Sequence, residues 1–172
     1  MNKINTERLL LQPLTHAQLL QYIKNDGSLE AALHINPSER VISADLQEAL
    51  EQTIVPNVAD PLKNYVFNSL WTIILKTENR MVGDLCFVGE PNAAGEIEIG
   101  YGTYEAERGK GYMTEAVSGM LQWAMRQPEV RAIIASTEKD NPASSSVLQK
   151  NNFIQAGETD TLFQWRKDLN DE

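Results

Sequence analysis

The chain of 172 residues holds a single cysteine and two histidines. A lone Cys86 excludes an internal disulfide. It stands in the apolar run Asp84-Leu85-Cys86-Phe87-Val88, where a small buried hydrophobe is expected rather than a nucleophile. His16 and His34 have no Cys or carboxylate partner at metal-ligand spacing, so no metal site is expected. No apolar run approaches the ~20 residues of a membrane span, and Met1-Asn2-Lys3-Ile4-Asn5 lacks the apolar core of a secretory signal. A cytoplasmic protein without membrane contact is expected. Positive charge is also scarce. Lys and Arg number 15 against 24 Asp and Glu, a formal net charge of −9. Nucleic acid is thereby excluded as a partner, because a phosphate backbone demands clustered Lys and Arg. The same balance suits a cationic partner such as a polyamine or a basic peptide, and it equally describes many soluble proteins with no such partner. No Pro/Gly/Ser-rich linker, low-complexity tract or repeat interrupts the chain, so residues 1–172 are read as one domain.

What is present changes period along the chain. Residues 6–14 read as a strand stopped by Pro13, and Thr15 with Gln18 three residues on is a capping box opening a helix to Lys24. Ser43 is the N-cap of a second helix with Leu46, Ala49, Leu50 and Ile54 on one face, ending before Pro56 or Pro61. Residues 70–76 and 81–88 form a hairpin around Glu78-Asn79-Arg80. Glu96-Ile97-Glu98-Ile99-Gly100-Tyr101 alternates strictly, as a strand with one polar face does. From Thr114 the spacing turns helical to Arg126, with Pro128 as the stop. A strand over 130–137, a short helix over 143–150 and strands over 153–156 and 161–166 follow. The order β-α-α-β-β-β-α-β-α-β-β predicts an α+β fold: a mixed, mostly antiparallel sheet with one β-α-β crossover and helices on both faces.

Between the strand at 96–103 and the helix from 114 lies Arg108-Gly109-Lys110-Gly111-Tyr112. Two glycines permit a turn that points successive backbone N–H groups into one concavity, and the helix start adds free N–H groups and a positive dipole end. That arrangement suits a pyrophosphate, with Arg108 and Lys110 adding charge. A tight strand-to-helix connection accounts for the same glycines. Two nucleotide signatures fail: Lys110 is followed by Gly111 rather than Ser or Thr, and a fingerprint starting at Gly100 meets Glu105 where glycine is needed.

Arg108-Gly109-Lys110-Gly111-Tyr112-Met113-Thr114 resembles the acetyl-CoA loop of GNAT N-acetyltransferases, whose core is Gln/Arg-x-x-Gly-x-Gly/Ala. Arg108 and Gly111 match, and Met113 replaces the last small residue. The chain is similar in particular to the RimJ/RimL-type branch, which acetylates ribosomal-protein N-termini. Thr6-Glu7-Arg8-Leu9-Leu10-Leu11-Gln12 matches its opening Thr-Glu-Arg-Leu-x-Leu-Arg, with Gln for Arg, and Ile99-Gly100-Tyr101 matches its Ile-Gly-Tyr strand. Asn141, Ser144, Val147, Leu148, Lys150 and Phe153 match its closing pattern, with Asn152 in the place of Gly. The resemblance implies acetyl-CoA as co-substrate, held by residues 108–114 and, through pantetheine, by backbone N–H groups near Ile99, Gly100 and Tyr101 in a V between two parting strands. It also implies that Asn141 bonds the pantetheine and that Ser144 protonates the leaving thiolate, because Leu148 stands where many relatives carry a tyrosine. Asn141 is equally suited to be a helix N-cap before Pro142, and Ser144 to be a surface serine.

Acetyl transfer needs a neutral amine, so a proton acceptor is sought. Glu96 and Glu98 share one strand face, where each would raise the other's pKa, and Glu98 lies nearer the parting of the strands; both equally fit a solvated face, with water as the acceptor. Trp71, Trp123 and Trp165 are expected in the core, and Tyr101 and Tyr112 at the cleft. The acceptor is an amine, either a peptide N-terminus or a small molecule such as a polyamine, an amino sugar or an antibiotic. A non-catalytic acyl-CoA sensor is the reading from another class.

Overall fold

The computed structural model describes residues 2–169; Met1 of the N-terminal stretch and the last three residues of the expected 1–172 domain lie outside the described residues. Strands β1 (Ile4–Asn5), β2 (Leu9–Pro13), β3 (Leu70–Leu75), β4 (Arg80–Phe87), β5 (Glu96–Thr103), β6 (Ala132–Glu138), β7 (Ile154–Glu158) and β8 (Leu162–Asp168) form one sheet in the order β1-β2-β3-β4-β5-β6-β8-β7. Every pairing is antiparallel except β5 with β6. That single parallel pair is the β-α-β crossover the sequence order predicts, because parallel neighbours need a long connection.

One face of the sheet carries α6 (Tyr112–Met125) and α7 (Pro142–Lys150); the other carries α1 (His16–Lys24), α2 (Ser28–Leu33), α3 (Ala44–Ala49) and α4 (Val55–Ala59). Alternation along β5 sends Ile97 and Ile99 into the first core, while Tyr104 packs against the second. The first core contains the three tryptophans, with Trp71 and Trp123 edge-to-face at 5.4 Å between ring centroids.

The chain departs from the sequence reading in two places, at residues 6–8 and in two unexpected helices, while two of the expected stops hold. Residues 6–8 are a turn rather than strand, because the Thr6 Oγ1 accepts the Leu9 N–H at 3.1 Å and closes it. β2 stops at Pro13, opposite Trp71, as the sequence reading has it. The helix from Ser43 ends at Ala59, before Pro61, the second of the two stops read from the sequence; it passes Pro56 because residues Leu50–Ile54 widen to a π turn, the Val55 N–H bonds the Leu50 carbonyl, and Pro56 falls in the first turn of α4, where a missing N–H matters little. α2 and the short α5 (Tyr65–Asn68) carry no strong periodicity and were not expected. The Thr15–Gln18 capping box forms as read.

Candidate active site

β5 and β6 pair only over Glu96↔Ala132, Ile97↔Ile133 and Glu98↔Ile134. Beyond Glu98 the strands part, β5 continuing against β4 up to Thr103 and β6 against β8 up to Glu138. The ladder fixes which amides are left over. Val88 N–H bonds the Glu98 carbonyl and Tyr104 N–H bonds the Val82 carbonyl, so even-numbered residues of β5 turn their backbone groups toward β4. Ile99, Tyr101 and Thr103 turn theirs toward the opening. The Gly100 amide is thus committed to β4, and the donors facing the opening belong to its neighbours.

At the end of β5 the chain passes through a 3₁₀ turn, Glu105–Glu107, into the glycine loop. Gly109 and Gly111 adopt φ of 78° and 80°, the left-handed region that favours glycine. The first helical bond of α6 is from Glu115 N–H to the Gly111 carbonyl, so the amides of Tyr112, Met113 and Thr114 are open, as are those of Gly109, Lys110 and Gly111 among the described residues. Six consecutive donors at a helix N-terminus fit a pyrophosphate. The opening motif of the chain locks this loop in place. Arg8 Nε donates to Glu115 Oε1 at 2.6 Å, Arg8 Nη1 donates to the Lys110 carbonyl at 3.0 Å, and the guanidinium lies 4.9 Å from the Tyr112 ring centroid. Thr6 Oγ1 and the Arg8 N–H both donate to Glu115 Oε2. Burial pushes the Glu115 carboxyl up, but these donors outweigh it and hold it below the usual range.

A cleft of about 760 Å³ runs from the parted strands across the loop to α7. It brings together Tyr101, Arg108, Gly109, Gly111, Tyr112, Met113, Thr114, Asn141 and Ser144 of the residues expected from sequence. It leaves out Ile99, Gly100, Lys110 and Glu98. Ile99 is buried, and the Lys110 ammonium is drawn aside to Glu107 at 3.3 Å. Glu107 itself is gripped first by Arg80 and then by Lys110, which hold its carboxyl below the usual range. Asn141 is the N-cap of α7, accepting the Ser144 N–H at 3.2 Å, and it also lines the cleft.

Ser144 is half-buried, and its neighbour across the cleft was not foreseen. Its Oγ donates to the Tyr101 phenol oxygen at 3.2 Å, and that phenol donates to the Ser144 carbonyl at 2.8 Å. Burial pushes the Tyr101 phenol above its ordinary value, with the Ser144 hydrogen bond opposing, so it is protonated at neutral pH. Leu148 is fully buried. A phenol therefore reaches Ser144 from the facing strand, a pairing across 43 residues with no local signal. Lys150, at the end of α7, also lines the cleft; its place in the closing pattern was the one hint.

The two carboxylates singled out on β5 separate. Asn92 and Arg166 both bond the Glu96 carboxyl and hold it below the usual carboxylate range, the reverse of the mutual elevation expected for the pair. Glu98 is exposed to solvent. Cys86, expected to be buried, is partly exposed on the same face; burial, then Asp84 and Glu98, push its thiol up to about 12, so it is protonated and unreactive at neutral pH.

A different acid lies beneath them. Asp84 on β4 is 6% exposed, its Oδ2 accepting the Tyr22 phenol at 2.6 Å and the Tyr104 phenol at 3.4 Å. Burial pushes its carboxyl from 3.8 up to about 6, against the two tyrosine hydrogen bonds and the more distant Arg40. The unfolded chain ionises Asp84 before the folded one does. This group's contribution to stability is therefore present at low pH and falls by about 3 kcal/mol as pH rises through that window. Asp84→Asn does not titrate, so its stability relative to wild type should climb by about 3 kcal/mol between about pH 4 and pH 7, read by urea unfolding at both. A difference constant to within about 1 kcal/mol would show that burial leaves Asp84 unshifted.

The family model for the acetyltransferase (GNAT) domain matches residues 8–154. An uncharacterized N-acetyltransferase, YjdG, of Bacillus subtilis (strain 168) is 39% identical over 84 residues, which cover 49% of this chain and 50% of that protein; the match spans half the length of that curated relative. A ribosomal-protein-S5-alanine acetyltransferase from Vibrio fischeri superposes with a TM-score of 0.69 at 18% identity, covering 99% of this chain and 98% of that one. A spermidine N-acetyltransferase from Vibrio cholerae, solved with CoA and spermine, superposes with a TM-score of 0.65 at 14% identity, covering 95% and 97%. At such identities the likeness to the solved structures is one of fold.

Proposed function

The chain belongs to the GNAT acetyltransferase family, and on that premise we propose that it moves the acetyl group of acetyl-CoA onto a primary amine, foremost the α-amine of a peptide or protein. The observation that carries this reading is the parting of β5 from β6 beside a helix start with six open amides. Acetyl-CoA supplies a thioester whose carbonyl carbon accepts the amine and whose thiolate leaves. The loop from Arg108 to Thr114 holds the pyrophosphate on amides and on the α6 dipole, with Arg108 and Lys150 adding positive charge. The amides of Ile99 and Tyr101, turned into the opening, bond the thioester arm and polarise its carbonyl. The Tyr101–Ser144 pair gives a proton to the departing sulfur. Cofactor contacts lie on the α6–α7 side, which leaves the other face of β5 for the acceptor.

A peptide α-amine is favoured because it is partly neutral at physiological pH, whereas a lysine-type amine with a pKa of about 10.4 is not. The net charge of −9 supports a second reading, a polyamine, and the Vibrio cholerae neighbour was solved with spermine. Incubation with acetyl-CoA and a panel of free-N-terminus peptides, polyamines and amino sugars, followed by free-thiol detection, separates these. Thiol release with peptides is expected. Release with polyamines alone would install the second reading, and tight acetyl-CoA binding with no release would leave a sensor.

A further inference from the structure

Two glycines inside β5 lack a backbone reason to be glycine. Gly100 and Gly102 do not have positive φ. A Cβ at Gly102 would meet nothing within 4 Å, and one at Gly100 would touch only Cys86 Sγ at 4.0 Å. Glycine in a strand interior forfeits packing and often marks a close approach by a ligand. The space lies on the face opposite to α6 and α7. Directly opposed residues of an antiparallel pair share a face, and the register sets Gly102 against Asp84 and Gly100 against Cys86. Asp84 therefore borders an open floor, with Tyr104 at one end and Glu98 at the other.

Among the described residues no cation hydrogen-bonds Asp84. Arg40 acts on it only through its charge; its terminal nitrogens donate to Glu30 and to the Tyr22 carbonyl, each at 2.9 Å, and its Nε has no partner. Asp84 Oδ1 accepts no hydrogen bond among the described residues. Unlike the buried Thr72 hydroxyl and Arg40 Nε, that oxygen is not closed off from solvent, so a cationic group can reach it.

We propose that the acceptor's primary ammonium docks over the Gly100–Gly102 floor and that Asp84, rather than Glu98, takes its proton; this rests on the N-acetyltransferase reading above. Asp84 carboxylate receives one proton from R–NH₃⁺, leaving R–NH₂. The nitrogen lone pair forms the new N–C bond, the C–S bond breaks, and the second proton lost by nitrogen balances the one the leaving thiolate takes from the Tyr101–Ser144 pair. Asp84 returns its proton to water, so one proton is released per turnover. The groups facing Asp84 are Tyr22 from α1, Tyr104 after β5, Cys86 on β4 and Arg40 before α3; Glu98 stands beyond Cys86. A carboxyl near pKa 6 is better matched to an α-amine near 8 than an ordinary aspartate is.

The test uses the panel's acetylated amine with wild type, Asp84→Asn, Glu98→Gln and Gly102→Ala. Asp84→Asn should lower kcat/KM about thirtyfold, less than a typical base loss because water reaches the site, and should remove the acidic limb of the pH profile. Calorimetric CoA affinity should stay within about twofold of wild type. Gly102→Ala, whose methyl has room, should keep its melting temperature and raise the KM for the amine. Glu98→Gln should stay within about threefold. Asp84→Asn within about threefold, or a collapse confined to Glu98→Gln, overturns the inference and leaves the acetyltransferase reading standing. If wild type acetylates nothing in the panel, that reading falls, and the inference is judged without turnover. The ¹³C-carboxyl titration of Asp84 in the CoA complex should move to lower pH when alaninamide saturates the site. No movement overturns it.

Discussion

Gly111→Asp is expected to weaken acetyl-CoA binding about a thousandfold while the variant stays folded, at a cost of about 1 kcal/mol for a side chain at positive φ. The two halves of that expectation come from the same position. Gly111 is the N-cap of α6, where aspartate is favoured by the open amides and the helix dipole. Its φ of 80° is a region aspartate tolerates better than most residues. An added Cβ meets only the end of a flexible side chain, Arg8 Nη2 at 3.3 Å. The new carboxylate, however, occupies the ground of the pyrophosphate. Two like charges about 4 Å apart at an effective dielectric of about 20 repel by about 4 kcal/mol, which is about three decades in Kd. Calorimetry with CoA and a melting curve decide it; unchanged affinity in a folded variant would place the phosphates elsewhere.

Tyr101→Phe is expected to lower kcat about a hundred- to a thousandfold with the KM for acetyl-CoA within about twofold. Among the described residues the phenol is the titratable group hydrogen-bonded to Ser144, and on the proposed mechanism its loss removes an interaction formed as the thiolate departs. Ser144→Ala should cost about tenfold, because the Tyr101 phenol remains in the cleft. The comparison is decisive in one direction. If Ser144→Ala collapses turnover and Tyr101→Phe spares it, the serine is the donor and the tyrosine merely positions it. A substrate whose thiol leaves without protonation would spare both.

How far these sites could be read in advance follows from the range of the forces that make them. The glycine loop, the capping box at Thr15 and the helix of Ala116, Val117 and Met120 are written in spacings of a few residues. Backbone sterics and a 3.6- or 2-residue period act over that distance, so the α+β order and the glycine loop with its open amides were legible. The matched opening Thr6-Glu7-Arg8 was legible as a pattern but not as a device. Only the folded chain brings Arg8 to Glu115, 107 positions away, and so explains why a loop-anchoring arginine stands at the start of the chain. Of the two prolines read as stops, Pro61 follows the helix end and Pro56 lies inside it, because the π turn at Leu50–Ile54 just before it removes the penalty that a proline carries in a regular helix.

The acid–base groups belong wholly to the tertiary structure. A carboxylate's basicity depends on what surrounds it, and surroundings are contributed by distant segments. Glu96 and Glu98 look alike in sequence, yet Arg166 from β8 claims the first and solvent the second. Asp84 carries no signal in sequence; burial beneath Tyr22 and Tyr104 pushes its carboxyl up to about 6. Local sequence therefore determined the elements and the amide-lined loop, because backbone donors point where the turn points them whatever lies around. Which side chains hold, give or take a proton was decided by packing, because desolvation and hydrogen bonding across 43 to 109 residues have no signature in spacing.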